Sequence, residues 1–119
     1  MTRFLIGALI AANMAGASPA LAQNDFYTAK GFLTACTDTE PTRQGICAGI
    51  VAGFIARDGM SHSTKAICRP EGVTNAESVS AVTRFIKANP QLGASRIGNI
   101  LFLALPNAYP CPLAGKKIP

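Results

Sequence analysis

The stretch TNAESVSAVTRFIKANP, residues 74–90, predicts the best-defined helix of the chain. Thr74 can cap the helix while Glu77, three residues later, reaches back to the backbone of Thr74, which is a capping box. The following apolar residues recur at three- and four-residue steps and so share one face: Val79, Val82, Phe85 and Ile86. Asn89-Pro90 ends the helix, because a residue before proline avoids the helical conformation.

The segments on either side of this stretch predict three more helices. The first runs from Asp25 to Cys36, and a turn that closes at Pro41 follows it. The second restarts near Thr42 or Arg43, and the fourth helix of the chain runs from about Leu92 to Leu105, where Pro106 blocks extension. The apolar positions with helical spacing are Phe26, Ala29, Phe32, Leu33 and Cys36 in the first; Ile50, Val51, Phe54 and Ile55 in the second; and Ile97, Ile100, Leu101, Ala104 and Leu105 in the fourth.

Two details of these helices bear on how they pack. Gly49 and Gly53 lie one helical turn apart in the second helix, where each glycine costs about 1 kcal/mol relative to alanine. We expect them to mark close packing of another helix in a shared groove. Residues 100–105 could alternatively form a buried strand, but no second strand-like run exists to pair with it. The prediction is therefore an all-α fold, a small four-helix up-and-down bundle.

The first 22 residues have the form of a secretory signal peptide. Arg3 supplies the charged start, an uncharged apolar stretch follows, and Ala20-Leu21-Ala22 is a small-x-small cleavage site. Cleavage after Ala22 would leave residues 23–119 as one exported helical domain. The alternative, an N-terminal membrane anchor, is disfavoured because the apolar stretch is too short to cross a bilayer comfortably.

Four cysteines in an exported chain of this length predict two disulfides. No pair is spaced Cys-x-x-Cys and the only histidine is His62, so the pattern does not indicate a zinc site. Successive antiparallel helices would place Cys36 with Cys47 at one end of the bundle and Cys68 with Cys111 at the other. The other two pairings would have to join opposite ends, which a disulfide cannot span.

Charge and residue types disfavour several classes of function. Eleven Lys and Arg residues against six Asp and Glu residues, with no basic run longer than Lys116-Lys117, give little support for a nucleic-acid-binding stripe. His62, between Ser61 and Ser63, is the only candidate histidine base, and the acids lie near helix ends, where capping and dipole roles explain them. No phosphate loop, metal cluster or haem motif is present. We therefore expect a binding protein rather than an enzyme, without a cofactor or metal.

Three motifs resemble those of a known family. CAGIVAGF at 47–54, CRPEGVT at 68–74 and ALPNAYPC at 104–111, preceded by Cys36, are similar to the periplasmic type VI secretion amidase immunity proteins, the Rap/Tai group. The resemblance covers about residues 31–111. It implies a small, helical, disulfide-bonded and often dimeric periplasmic protein. Such a protein binds a papain-like peptidoglycan amidase injected by a neighbouring cell and obstructs its catalytic cleft.

The best candidate for partner contacts is the polar segment from Arg57 to Lys65. Its side chains that could reach into an enzyme cleft are Arg57, Met60, His62 and Lys65. The alternative is that this segment is only a solvated connection. The apolar stripe near the end of the chain predicts either a central core helix, which we favour, or a homodimer face: Ile100, Leu101, Phe102, Leu103 and Leu105.

Two other functions fit a small, exported, disulfide-bonded helical domain. A periplasmic chaperone or stress-type binding protein would bind many unfolded clients and expose apolar surface conditionally. An orphan envelope domain of the same fold would have no toxin partner. An immunity protein differs from both in binding one folded enzyme tightly.

Overall fold

The computed structural model describes residues 26–61 and 64–112, which form four α-helices. They are α1 (Ala29–Thr37), α2 (Pro41–Gly59), α3 (Asn75–Ala88) and α4 (Ile97–Ala108), with a 3₁₀ turn (Pro90–Leu92) between α3 and α4. No strand forms within the described ranges, where the only β-type pairings are the isolated bridges Thr28–Arg96 and Ile67–Pro110. The predicted all-α fold of four helices is confirmed. In the described part of the chain, no helix has both the length and the apolar content needed to cross a membrane.

Helix α3 packs against each of the other three helices. Its amino terminus is the predicted capping box: the Glu77 N–H donates to the Thr74 hydroxyl (3.1 Å), and the Thr74 N–H donates to the Glu77 carboxylate (2.7 Å). The core of the domain is built around its apolar face. The buried apolar residues are Ala29, Phe32, Ala35, Cys47, Val51, Ile67, Val79, Val82, Ile86, Ile100, Leu101, Ala104 and Leu105.

Helix α1 begins at Ala29, later than the predicted Asp25, which lies outside the described residues. The Thr28 hydroxyl accepts the Gly31 N–H and caps the helix. The backbone at the start of α1 is hydrogen-bonded to the segment that leads into α4. The Ala29 N–H donates to the Ser95 carbonyl and the Ile97 N–H donates to the Tyr27 carbonyl, both at 2.9 Å. Tertiary hydrogen bonds therefore set this helix boundary.

Helix α2 begins at Pro41, just before the predicted start near Thr42 or Arg43, and its N-cap is Glu40. The carboxylate of Glu40 accepts the N–H groups of Thr42 (3.1 Å) and Arg43 (2.9 Å). These two hydrogen bonds lower the pKa of the Glu40 carboxyl below its ordinary value.

The expectation of close packing at the α2 glycines is wrong. Gly49 and Gly53 are exposed, and a Cβ added at either position would meet nothing within 4 Å among the described residues. The buried side of α2 is formed instead by Cys47 and Val51, with Phe54 partly buried. The two glycines therefore lie on the side of the helix that faces away from the core.

Helix α4 differs from the prediction at both ends. It begins at Ile97, because Leu92 belongs to the 3₁₀ turn and the following carbonyls accept hydrogen bonds from α1. Pro106 does not end the helix but lies inside its last turn. Because proline has no N–H, the Phe102 carbonyl lacks its usual helical hydrogen bond. The helix nevertheless continues to Ala108. The Tyr109 N–H still donates to the Leu105 carbonyl (2.8 Å).

Both predicted disulfides are present. Cys36–Cys47 joins α1 to α2 with a Cα–Cα distance of 5.9 Å, and Cys68–Cys111 joins the segment before α3 to the segment after α4 at 4.9 Å. In the chain-entropy view, loops of these lengths contribute about 3 and about 4 kcal/mol to folding. For a small domain such contributions are a large part of the free energy of unfolding.

Candidate partner-binding site

The residues predicted to contact a partner lie at and beyond the end of α2. Arg57 occupies the last turn of the helix, and Met60, the C-cap residue, is 74% exposed. Lys65 is exposed in the connection to α3. His62, like residues 1–25 with the predicted signal peptide, lies outside the described residues. The structure thus places three of the four candidates on the surface: one in the last turn of α2 and two just after it.

The segment 59–65 has a fixed base, because Asp58 bonds to the chain on its far side. One carboxylate oxygen of Asp58 accepts the Ala66 N–H (3.0 Å) and the other accepts the Ile67 N–H (2.9 Å). On the near side, the Met60 and Ser61 N–H groups donate to the Arg57 and Asp58 carbonyls at 3.2 and 3.0 Å. Both ends of the segment are therefore held against the last turn of α2.

The capping and dipole roles that the sequence predicts for the acids near helix ends are wrong for Asp58, which lies in the last turn of α2. An acid at a helix carboxyl terminus is opposed by the helix dipole, so its presence there indicates another role. That role is visible only in the structure, where the side chain bonds to residues eight and nine positions further along the chain.

A second attachment fixes the chain just after this segment. Ile67 is 2% exposed and pairs with Pro110, and the Cys68 N–H donates to the Tyr109 carbonyl (2.8 Å). The Cys68–Cys111 disulfide makes the connection covalent. The connection after α2 is therefore tied to the end of α4.

A cleft of about 220 Å³ opens between the end of α2, described residues of the connection after it, and α4. We call it the α2–α4 cleft. Its apolar lining consists of Phe54, Ala66, Ile67, Phe102 and Pro106, and its polar lining consists of Arg57, Asp58, Ser61 and Thr64. The rings of Phe54 and Phe102 meet edge to face, with centroids 5.5 Å apart. This cleft cannot be read from the spacing of residues along the chain, because its two rings lie on different helices.

The apolar stripe of α4 is divided between the core and the surface. Ile100, Leu101 and Leu105 are buried, which confirms core packing for these three. Phe102 and Leu103 are 62% and 53% exposed. Phe102 lines the α2–α4 cleft, and Leu103 is its neighbour in the chain.

The CRPEGVT motif builds the frame beside the cleft. Gly72 has φ +84°, a conformation that side-chain-bearing residues rarely adopt, and Thr74 then caps α3. The Arg69 guanidinium donates to the Asn75 side-chain oxygen (2.8 Å) and to the buried Ser78 hydroxyl (3.2 Å). Ser78 in turn donates to the Tyr109 hydroxyl (3.3 Å). A polar chain therefore links the start of α3 to the end of α4.

Comparison with known families identifies the group to which this architecture belongs. The model of the Rap1a immunity proteins matches residues 28–111. The chain belongs to the Rap1a immunity protein family. No curated protein and no solved structure gives a significant match to it. As a Rap1a immunity protein, the chain is expected to have a toxin protein as its binding partner.

The part of the chain matched by the Rap1a family contains the whole candidate site. It begins at Thr28, the N-cap of α1, and ends at Cys111, the last cysteine. Immunity proteins are generally not enzymes, and among the described residues no group of three His, Cys, Asp or Glu side chains could hold a metal ion. All four cysteines are in disulfides.

Proposed function

We propose that this protein is a periplasmic immunity protein that binds and inhibits a peptidoglycan amidase toxin delivered by type VI secretion. The observation that carries the proposal is membership of the Rap1a immunity protein family over residues 28–111. The three motifs from the sequence resemble those of the amidase-directed members of such proteins. The proposed benefit is protection of the producing cell against toxin from its neighbours.

The disulfides support a periplasmic location. Disulfides form and persist in oxidising compartments such as the bacterial periplasm, and all four cysteines of this chain are paired. The first 22 residues fit a signal peptide that is cleaved after Ala22. Export would bring the protein to the compartment that contains peptidoglycan.

The proposed mode of inhibition is obstruction of the amidase cleft by the segment 59–65 and its flanking residues. Arg57, Met60, His62 and Lys65 supply the candidate contacts. Because Asp58 and the Cys68–Cys111 disulfide hold the base of this segment, less conformational freedom is lost on binding than for a free loop. Such inhibition requires no catalytic group in the immunity protein.

Affinity capture followed by an activity assay tests this function. Oxidised residues 23–119 are mixed with candidate amidases encoded beside the gene, and peptidoglycan cleavage is measured as the immunity protein is added. We expect one near-stoichiometric amidase whose cleavage activity disappears on binding. Full cleavage by every captured amidase at an excess of immunity protein would contradict the proposal, and capture of many unrelated unfolded clients would favour a chaperone.

A variant in which Gly59 to Thr64 is replaced by a short Gly-Ser linker tests the mode of inhibition. We expect loss of inhibition with the helical content unchanged, and unchanged affinity would remove the segment from the mechanism.

A homodimer is also part of the proposal. Light scattering at high concentration checks it, and a strictly monomeric mass would contradict it.

A further inference from the structure

We propose that the α2–α4 cleft binds one apolar side chain of the toxin partner, presented next to a carboxylate of that partner. This inference rests on the proposed function and adds to it the chemistry of the surface that is recognised. A side chain of the toxin would enter the cleft beside the last turn of α2.

The size and lining of the cleft fit a side chain rather than a small molecule. Its volume of about 220 Å³ is below the roughly 300–1,000 Å³ typical of small-molecule sites. Phe54 and Phe102 form an aromatic corner in it, and Ile67 and Pro106 add aliphatic surface. A buried apolar anchor in such a pocket is the usual centre of a protein interface.

The exposure of Phe102 needs an explanation that core packing does not give. Phe102 is 62% exposed, its neighbour Leu103 is 53% exposed, and Met60 at the end of α2 is 74% exposed. These are three of the five large hydrophobic residues exposed among the described residues. Exposed apolar surface next to a cleft is typical of a contact site for another protein.

The charge available at the cleft is positive. Arg57 lines it, and the Arg57 guanidinium makes no hydrogen bond or ion pair with the described residues. Exposed Lys65 directly follows the lining residue Thr64. Asp58 is the only acid in the lining, and each of its carboxylate oxygens already accepts a backbone N–H. A partner carboxylate would therefore meet unpaired cations at this rim.

The same charge disfavours two other occupants of the cleft. A second copy of the chain bound through this face would bring another Arg57 and another Lys65 to the interface. Residues 113–119 of the chain itself carry Lys116 and Lys117 but no Asp or Glu. Charge complementarity thus favours an acidic partner surface.

Two substitutions with matched controls test the cleft on the captured amidase. Phe102→Ala is compared with Tyr27→Ala, because Tyr27 is 64% exposed, almost as much as Phe102, but lies before α1. Arg57→Glu is compared with Arg84→Glu, an exposed arginine on α3. Association and dissociation rates are measured by surface-based kinetics at several salt concentrations, with circular dichroism to check folding.

We expect Phe102→Ala to weaken binding about tenfold or more, mainly through faster dissociation, and Tyr27→Ala to leave it within about twofold. We expect Arg57→Glu to slow association and to flatten or reverse its salt dependence, unlike Arg84→Glu. Equal effects of each variant and its control would overturn the proposal. A change in scattering mass from dimer to monomer on Phe102→Ala would also overturn it, since the face would then join two copies.

Short capped peptides test the preference of the cleft without the amidase. Acetyl-Asp-Phe-Asp-amide is titrated into the oxidised protein while the amide signals of Ala66 and Ile67 are followed by NMR. We expect shifts with this peptide, weak or no shifts with the Lys-Phe-Lys and Asp-Ala-Asp analogues, and loss of the shifts in Phe102→Ala. If the protein inhibits the amidase but shows no selective shift, the cleft proposal is overturned and the proposed function is not. Selective shifts in a protein that inhibits no amidase would support the cleft and overturn the proposed function.

Discussion

Replacing Asp58 with alanine removes the two hydrogen bonds that hold the base of the segment 59–65. The Ile67 N–H then loses its acceptor at a residue that is only 2% exposed, and an unpaired buried N–H costs about 1–3 kcal/mol. The Ala66 N–H is less buried and can turn to water at a smaller cost. Removing an acid from the end of α2 returns about 0.3–1 kcal/mol by relieving its conflict with the helix dipole. The free energy of unfolding should therefore fall by about 1–2 kcal/mol.

Glu71→Ala is the matched control for this substitution. Glu71 is an exposed acid on the same connection between α2 and α3, and it makes no hydrogen bond with the described residues. Its removal should change the free energy of unfolding by less than about 0.5 kcal/mol. Any larger effect of Asp58→Ala then reports the two hydrogen bonds rather than the loss of a negative charge.

Urea unfolding of the oxidised proteins measures the global effect, and amide hydrogen exchange measures the local one. Asp58→Ala should speed exchange at Ile67 more than at residues in the middle of α3, because the opening is local. It should also weaken binding of the toxin partner, since the anchored segment carries the proposed contacts. Equal urea midpoints for Asp58→Ala and Glu71→Ala, together with a wild-type exchange rate at Ile67, would refute the anchoring role of Asp58.

Three further substitutions test separate parts of the structure. Gly49→Ala should raise the free energy of unfolding by about 0.5–1 kcal/mol, because the new Cβ meets open space and alanine favours helix; a loss in urea unfolding would show that the position is packed after all. Gly72→Ala should lower it by about 1–2 kcal/mol, because Gly72 has φ +84°; an unchanged urea midpoint would contradict that conformation. The lowered pKa of Glu40 means that its ionised carboxylate stabilises the fold above pH 4.5. Above that pH, wild type should therefore melt at a higher temperature than Glu40→Gln, by a constant difference. It should vanish as the pH falls through the folded-state pKa, and an advantage independent of pH would refute the role of the charge.

The elements that the sequence predicted well are those fixed by nearby residues. The capping box of α3 joins Thr74 and Glu77, three positions apart, and the stop at Asn89-Pro90 is also local. The disulfide pairing followed from a count of helices together with the short reach of a disulfide. Local signals and one topological rule were therefore sufficient for the fold class.

The helix boundaries that the sequence missed are set by distant residues. Helix α1 starts at Ala29 and α4 at Ile97 because the backbones of the two segments bond to each other. Pro106 was expected to stop α4, yet the bonds around it hold the last turn in helical form. The α2 glycines show the same limit, since spacing alone does not say which side of a helix faces the core.

The candidate site combines parts that the sequence shows to different degrees. Its polar segment was visible as a run without periodicity, whereas the cleft depends on Phe54 and Phe102, which are far apart in the chain. Two lining residues, Phe54 and Pro106, lie within motifs that carry the family resemblance, while Arg57 and Phe102 lie outside them. Motifs of this kind can therefore place the cleft in the fold without specifying its rim. If these rim residues select the toxin, replacing Arg57 and Phe102 by other residue types should change which toxin is bound and leave the helical frame intact.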